Sequence, residues 1–396
     1  MLNDVPKVEI PENKIISIEQ QEINDSVITS AKLFDQVKST ILPKLTTLDF
    51  TGSKINLEDL NDLLKLDAFA MLKEIDLTNN KLGNDFTREL ASYKHLNNLS
   101  ILKLNSNLLD DNGIENLINC GFKATLTQLD LSDNTIGKEG VNNLSRCKFP
   151  SLTYLNLTNN NIGNEGMGFL LKCGFKKITK LYLSKNNIGG EGIECLSQCG
   201  FDSLTHLDLS HNKIDDKGVS FLSKIDLKTI ILLDLSNNMI KDEGAGILSK
   251  IKFESLTNLY LKGNMIEEKA LKDLLTIDCF KSLSQLKLEI ETMLKEKSIE
   301  FFRIGLDFHN KGKLKEAEES YIKSIEFDPK YANAHNNLGK LLKNQGKEKE
   351  AEECYRKAIE LNPKYANAHN NLGILLKKQG KEKEAEECYR KAKLFW

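Results

Sequence analysis

One pattern, L-x-x-L-x-L-x-x-N-x-I, restricts what this chain can fold into more than any other feature. Leu126 to Ile136 shows it in full, and copies begin at Leu45, Leu72, Leu99, Leu126, Leu152, Ile178, Leu204, Ile230, Leu256 and Leu283. Successive starts lie about 26 to 27 residues apart, the period of a stacked array whose units bury their apolar faces only against their neighbours. Such an array evades the size limit of a single core, which a chain of 396 residues would otherwise exceed.

Within each unit the alternation Leu-x-Leu, as in Leu129-Asp130-Leu131, predicts a short strand with one buried face. The asparagine that follows recurs at Asn80, Asn107, Asn134, Asn160, Asn186, Asn212, Asn238 and Asn264. Its amide both donates and accepts, so stacked copies are expected to form an internal ladder that satisfies the backbone where it leaves the strand. Glycine then recurs at Gly113, Gly140, Gly166, Gly192, Gly218 and Gly244, after acids such as Asp110-Asp111 and Asp215-Asp216 that suit a helix start. Leu117, Leu144, Leu170, Leu196, Leu222, Leu248 and Leu274 turn each helix toward the strands. Helices about 10 Å wide, set against strands about 4.8 Å apart, bend the stack into an arc with strands inside. The crossovers are expected to be right-handed.

With a helix in every unit and the turn Asn-x-Ile-Gly-x-Glu-Gly at Asn160 to Gly166, residues 45–290 resemble the ribonuclease-inhibitor-like class of leucine-rich repeats. That class also occurs in intracellular immune receptors and in Ran GTPase-activating proteins. The resemblance implies an α/β horseshoe, parallel strands concave and helices convex. It departs at both ends: Ser53 replaces the first ladder asparagine, and the tenth unit lacks one after Leu288.

Beyond Leu288 the period changes to 34 residues: Gly305, Gly339 and Gly373; Ala317, Ala351 and Ala385; Tyr321, Tyr355 and Tyr389. Small residues let two helices approach closely, and Pro329 and Pro363 stop the second helix of a unit. This resembles the tetratricopeptide repeat, an all-α array of helical hairpins. Phe301, His335 and His369 stand where that family often has tryptophan, and the third unit stops at Trp396 before its expected proline. The expected domains are a lead and helical cap at 1–44, the leucine-rich array at 45–290, and three tetratricopeptide units, the last incomplete, at 291–396. The cap rests on the helical spacing of Ile23, Val27, Phe34, Val37 and Ile41, closed by Pro43; the join, Glu289 to Glu300, is rich in helix formers.

The remaining composition bears on function. A net charge of -2 gives no pull toward nucleic acid or anionic membrane, and basic and aromatic residues do not cluster. No run approaches the ~18 apolar residues of a membrane span, and Met1 to Lys14 is too polar for a secretory leader. Cys120, Cys147, Cys173 and Cys199 share one register with Ile225, Ile251 and Ile277, so they read as core thiols rather than disulfides or ligands. A cytoplasmic, reducing setting is expected.

Catalytic motifs are absent. His206, Asp208 and His211 fall on the open face and turn, Asp110 to Gly113 lacks the alternate ligands of a calcium loop, and Gly189 to Gly192 lacks the G-K-S/T of a phosphate loop. No catalytic, metal or cofactor site is expected. The informative positions are those the repeat does not need: Asp49, Asp76, Lys103, Asp130, Asn156, Tyr182, Asp208, Asp234, Tyr260 and Lys287 between the core leucines, with Glu74, Tyr154, Lys180 and His206 beside them. Asp76, Asp130, Tyr154, Tyr182, Asp208, Asp234 and Tyr260 form a mostly acidic track with tyrosines, suited to a folded, basic protein partner. In the second array Asn333, Asn336, Asn337 and Lys340, then Asn367, Asn370 and Asn371, are expected to line a groove that reads the backbone of a peptide or helix. This is similar to the asparagine-lined grooves of tetratricopeptide superhelices; Phe302 and Leu306 replace the Lys and Asn of the carboxylate-clamp version. The reading is a non-catalytic scaffold or adaptor. The resemblance leaves open regulation of a small GTPase, or a sensor or effector that recognises a target protein.

Overall fold

The computed structural model describes residues 15–17, 46–65, 70–281 and 283–395. The cap expected over residues 18–41 lies outside the described residues. Among the described residues, ten strands form one parallel sheet in sequential order: β1 (Ile15–Ser17), β2 (Thr47–Asp49), β3 (Glu74–Asp76), β4 (Ile101–Lys103), β5 (Gln128–Asp130), β6 (Tyr154–Asn156), β7 (Lys180–Tyr182), β8 (His206–Asp208), β9 (Leu232–Asp234) and β10 (Asn258–Tyr260). From β2 onward the middle residue of every strand is buried, and its two neighbours face the open side. The helix leucines Leu117, Leu144, Leu170, Leu196, Leu222, Leu248 and Leu274 are buried behind the strands, as the period requires. β1 carries none of the repeat letters and pairs with β2 through Ile15–Thr47 and Ser17–Asp49 register.

The expected asparagine ladder is present. Asn212 is typical: its Nδ2 donates to the carbonyls of Leu183, Leu209 and Ser210, and its Oδ1 accepts from the N–H groups of Asn186 and Ile188, all at 3.0 Å. Each amide thus ties its own strand end to the repeat before it. At the array's start, the Ser53 hydroxyl donates to Asn80 Oδ1 at 3.1 Å, so the substituted position still meets the ladder.

A second ladder runs along the helix N-termini. Oδ1 of Asn84, Asp111, Asn164 and Asp242 accepts the N–H of Asp110, Gly137, Gly189 and Glu267, one repeat on. Asp216 accepts from both Lys241 and Gly244. The acids at these helix starts therefore stitch repeats together besides capping. Gly190 has no side chain for this role, and there Gly189 forms a direct parallel bridge to Lys213.

The tenth unit is a correction. Residues 284–288, expected as a strand with Lys287 on the open face, belong to a helix, Ser284–Asn310. A strand would bury both Leu286 and Leu288; instead Leu286, Ile290, Met293 and Leu294 are buried at helical spacing, and Leu288 is 66% exposed. Without a ladder asparagine the strand end has nothing to satisfy it, and the helix formers that follow prevail. Residues 289–300, expected to be helical, lie in this same helix.

The fold divides into two compact units that part between Leu286 and Lys287. The second contains three helical hairpins: the end of Ser284–Asn310 with Leu314–Phe327, Ala332–Asn344 with Glu348–Leu361, and Ala366–Lys378 with Glu382–Phe395. Ala317, Tyr321, Leu341, Ala351, Tyr355 and Leu375 make its core. Glycine sets the hairpin spacing: a Cβ on Gly339 would lie 2.9 Å from the Tyr355 ring and 3.1 Å from Cys354 Cβ. Gly339→Val is expected to destabilise this unit by about 2 kcal/mol in denaturant unfolding, through overpacking. A smaller change than about 0.5 kcal/mol would mean that the helices can separate at little cost.

The histidines in the tryptophan positions have their own task. Nε2 of His335 lies 3.0 Å from the Pro329 carbonyl, and Nε2 of His369 lies 2.9 Å from that of Pro363. Each pins a helix start to the proline that ended the previous helix. Phe301 stacks on Phe327 instead, with centroids 5.3 Å apart. Among the described residues the cysteines are unpaired thiols. Burial pushes Cys120 up to about 11 and Cys147 up to about 12, so both are protonated at neutral pH.

Candidate functional site

The strands' outward residues fall into two straight rows because the parallel register is the same throughout. One row passes Thr47, Glu74, Ile101, Gln128, Tyr154, Lys180, His206, Leu232 and Asn258; the other passes Asp49, Asp76, Lys103, Asp130, Asn156, Tyr182, Asp208, Asp234 and Tyr260. The structure brings the seven expected residues of this face together on one surface. It removes Lys287, which is helical.

The aspartates of the second row have a structural task that sequence reading missed. Oδ1 of Asp49, Asp76, Asp130, Asp208 and Asp234 accepts the N–H two residues on, at 2.8 to 3.1 Å. The Thr78, Ser132 and Ser236 hydroxyls add a second bond to the same oxygens. The signal was in the spacing, since Asp-x-Thr and Asp-x-Ser are turn-forming pairs. Asn156 makes the same bond to Thr158 at 3.0 Å, which shows that the turn needs an Oδ1 but no charge.

Charge along the face is uneven. Lys103 bridges Glu74 at 2.8 Å and Asp76 at 3.1 Å. Burial pushes the Asp76 carboxyl up, but the bonds from Thr78 and Lys103 outweigh it and hold the group below its ordinary value. Burial pulls Lys103 down, and its two carboxylate partners reverse that and keep it charged. Farther along, Asp130 Oδ2 accepts from Asn156 at 3.0 Å. The two rows carry six carboxylates against two lysines, so the face stays acidic outside the Lys103 cluster.

Between Asp130 and Asp208 the acidic row gives way to Asn156 and Tyr182, and Tyr182 pairs with Tyr154 of the first row. Tyr154 and Tyr182 sit diagonally on β6 and β7, ring centroids 5.4 Å apart and tilted by 45°. Burial, with Asp130 next, pushes Tyr154 up to about 12, so its hydroxyl stays a neutral donor. His206 follows; burial and neighbouring Lys180 lower its pKa, and its Nδ1 lies 2.9 Å from the Thr205 hydroxyl. His211 is turned to Asn237, 3.1 Å away. Among the described residues, no group of three or more His, Cys, Asp or Glu side chains is placed to hold a metal ion, and no helix is long and apolar enough to cross a membrane.

In the second unit the structure splits the expected groove residues. Asn336 is buried, and its Oδ1 accepts from Asn371 Nδ2 at 2.9 Å across adjacent hairpins. That bond joins adjacent hairpins, and burial shuts Asn336 off from a peptide, while Asn371 is half-buried. Asn333, Asn337 and Asn370 are half-buried, and Asn367 and Lys340 are exposed. Phe302 packs against the core of this unit, meeting Tyr331 edge-on at 5.2 Å and Tyr321 at 5.9 Å.

Family models for the leucine-rich repeat match residues 123–145, 150–171, 176–197 and 203–223, and models for the tetratricopeptide repeat match 305–346, 332–365 and 354–387. The chain carries leucine-rich repeats followed by tetratricopeptide repeats. Tyr154 and Tyr182 lie within the matched leucine-rich repeats, and the asparagine positions lie within the matched tetratricopeptide repeats. No curated protein matches the chain. Among solved structures, it is similar to the second tetratricopeptide domain of Spaghetti (RPAP3) bound to an HSP90 peptide, SRMEEVD, at 27% identity over 26% of this chain and 94% of that one, with a TM-score of 0.25. The first such domain of the same protein, bound to the same peptide, is 24% identical over 25% of this chain and 78% of that one, with a TM-score of 0.24.

Proposed function

We propose that this chain is a non-catalytic protein-interaction scaffold in a reducing, intracellular setting. Its leucine-rich face takes a folded, basic partner, and its tetratricopeptide groove takes an extended peptide or a helix. The observation that carries the first half is the Tyr154–Tyr182 pair, set between Asp130 and Asp208 on a surface where the fold itself needs no aromatic ring. Tyrosine supplies contact area with a polar tip at small entropic cost, and carboxylates around it select for positive charge. The groove reading rests on Asn333, Asn337, Asn367 and Asn370, whose amides can bond both N–H and C=O of an extended backbone.

The charge component has a clean test, because asparagine preserves the turn bond that aspartate makes. Replacing Asp130, Asp208 and Asp234 together by Asn is expected to weaken capture of proteins retained by the leucine-rich face by about tenfold at low salt. The difference should narrow as salt rises. Equal retention at low salt would remove charge from the account of this surface.

A further inference from the structure

The second and third tetratricopeptide hairpins are near-copies: residues 332–358 and 366–392 differ only at Lys340/Ile374 and Asn344/Lys378. The face of the second hairpin that receives the third is therefore repeated, residue for residue, on the far side of the third. What the second copy of that face would hold can be read from the first.

On the second hairpin, Asn336 accepts from Asn371 at 2.9 Å, Glu352 pairs with Lys381 at 3.4 Å, and Arg356 pairs with Glu384 at 3.1 Å. One interface earlier, Glu318 pairs with Lys347 at 3.1 Å, the same contact between the same repeat positions. The counterparts on the third hairpin are Asn370, Glu386 and Arg390. Asn370 and Glu386, with Tyr389 beside them, are less covered by the described residues than the matching residues of the second hairpin. Asn336 is buried and Asn370 half-buried; Glu352 is half-buried and Glu386 exposed; Tyr355 is buried and Tyr389 half-buried. Phe395 does not fill the gap, since it packs on His369 with centroids 6.1 Å apart.

We propose that this face of the third hairpin binds a helical hairpin of a partner protein, one whose leading face repeats the pattern of residues 366–391. That pattern is an asparagine for Asn370, a lysine for Glu386 and a glutamate for Arg390, placed as Asn371, Lys381 and Glu384 are. A second copy of this chain is a poor occupant. Its two faces of this type are already packed on the preceding hairpin, and its first hairpin has Arg303 where the asparagine belongs. This surface shares Asn370 with the asparagine groove, but Glu386 and Arg390 lie outside that groove's residues, and it extends the array along its axis.

The probe is a fluorescently labelled peptide of residues 366–391, titrated with the full chain and followed by anisotropy. Saturable binding is expected, with Glu386→Lys in the chain weakening it at least about fivefold. A Lys381→Glu peptide should bind the wild-type chain poorly and recover on Glu386→Lys, because the charges are exchanged. A peptide that merely displaced the chain's own third hairpin would be indifferent to residue 386. No saturable binding, or equal affinity for wild type and Glu386→Lys, would overturn the proposal.

Discussion

Asn212→Ala is expected to destabilise the leucine-rich array by about 3 kcal/mol and to split its unfolding into two transitions. The side chain makes five bonds to backbone groups. Its loss strands two N–H groups and weakens three carbonyls where water does not reach. Each buried group left unsatisfied costs about 1–3 kcal/mol, and shared relaxation keeps the total below the simple sum. The split follows from geometry. Three of the five bonds reach residues of the preceding repeat, so their removal cuts the coupling between neighbours in a nearly one-dimensional stack. Gln128→Ala, at an exposed position of β5, should stay within about 0.5 kcal/mol of wild type. Denaturant unfolding followed by circular dichroism distinguishes the two variants. A single transition with an unchanged midpoint for Asn212→Ala would mean that the ladder is not what joins the repeats.

The second large effect is on binding. Replacing Tyr154 and Tyr182 by Ala is expected to weaken the leucine-rich partner about a hundredfold while leaving the fold intact. Central aromatic anchors commonly cost 2 kcal/mol or more each when truncated, and the pair shares its contact, so roughly 3 kcal/mol is expected for both. Both rings lie on the open face. The buried leucines beside them, Leu155 and Leu181, remain to hold the strands.

Much of this was legible before any coordinates. Spacing alone placed the strands β2 to β10, the asparagine ladder and the helix leucines, because each depends on a period that buried packing enforces. What escaped has physical reasons. β1 uses none of the repeat letters, so periodicity is blind to Ile15–Ser17. The tenth unit kept its leucines but lacked the asparagine, and helix propensity prevailed over a pattern whose essential polar member was missing. Asp76, Asp130, Asp208 and Asp234 read as surface charge, yet each has one oxygen occupied by a turn. Sequence reading treated the face as chemistry when half of each carboxylate is architecture. In the second array, Asn336 looks identical to Asn370 in sequence, and only its contact with Asn371 of the neighbouring hairpin distinguishes the buried Asn336 from the half-buried Asn370. His335 and His369 likewise departed from the family's tryptophan for a reason, the Pro329 and Pro363 carbonyls, that no single repeat reveals.

The most direct test of the scaffold account compares what three immobilised full-length proteins retain: wild type, Tyr154→Ala/Tyr182→Ala, and a convex-face control, Phe221→Ala. Retained proteins are identified and their affinities measured individually. The account predicts at least one basic folded protein bound by wild type and by the Phe221 variant, and bound about a hundredfold more weakly by the tyrosine variant. A partner set that is the same for all three would contradict it, since the face built around Tyr154 and Tyr182 would then bind nothing.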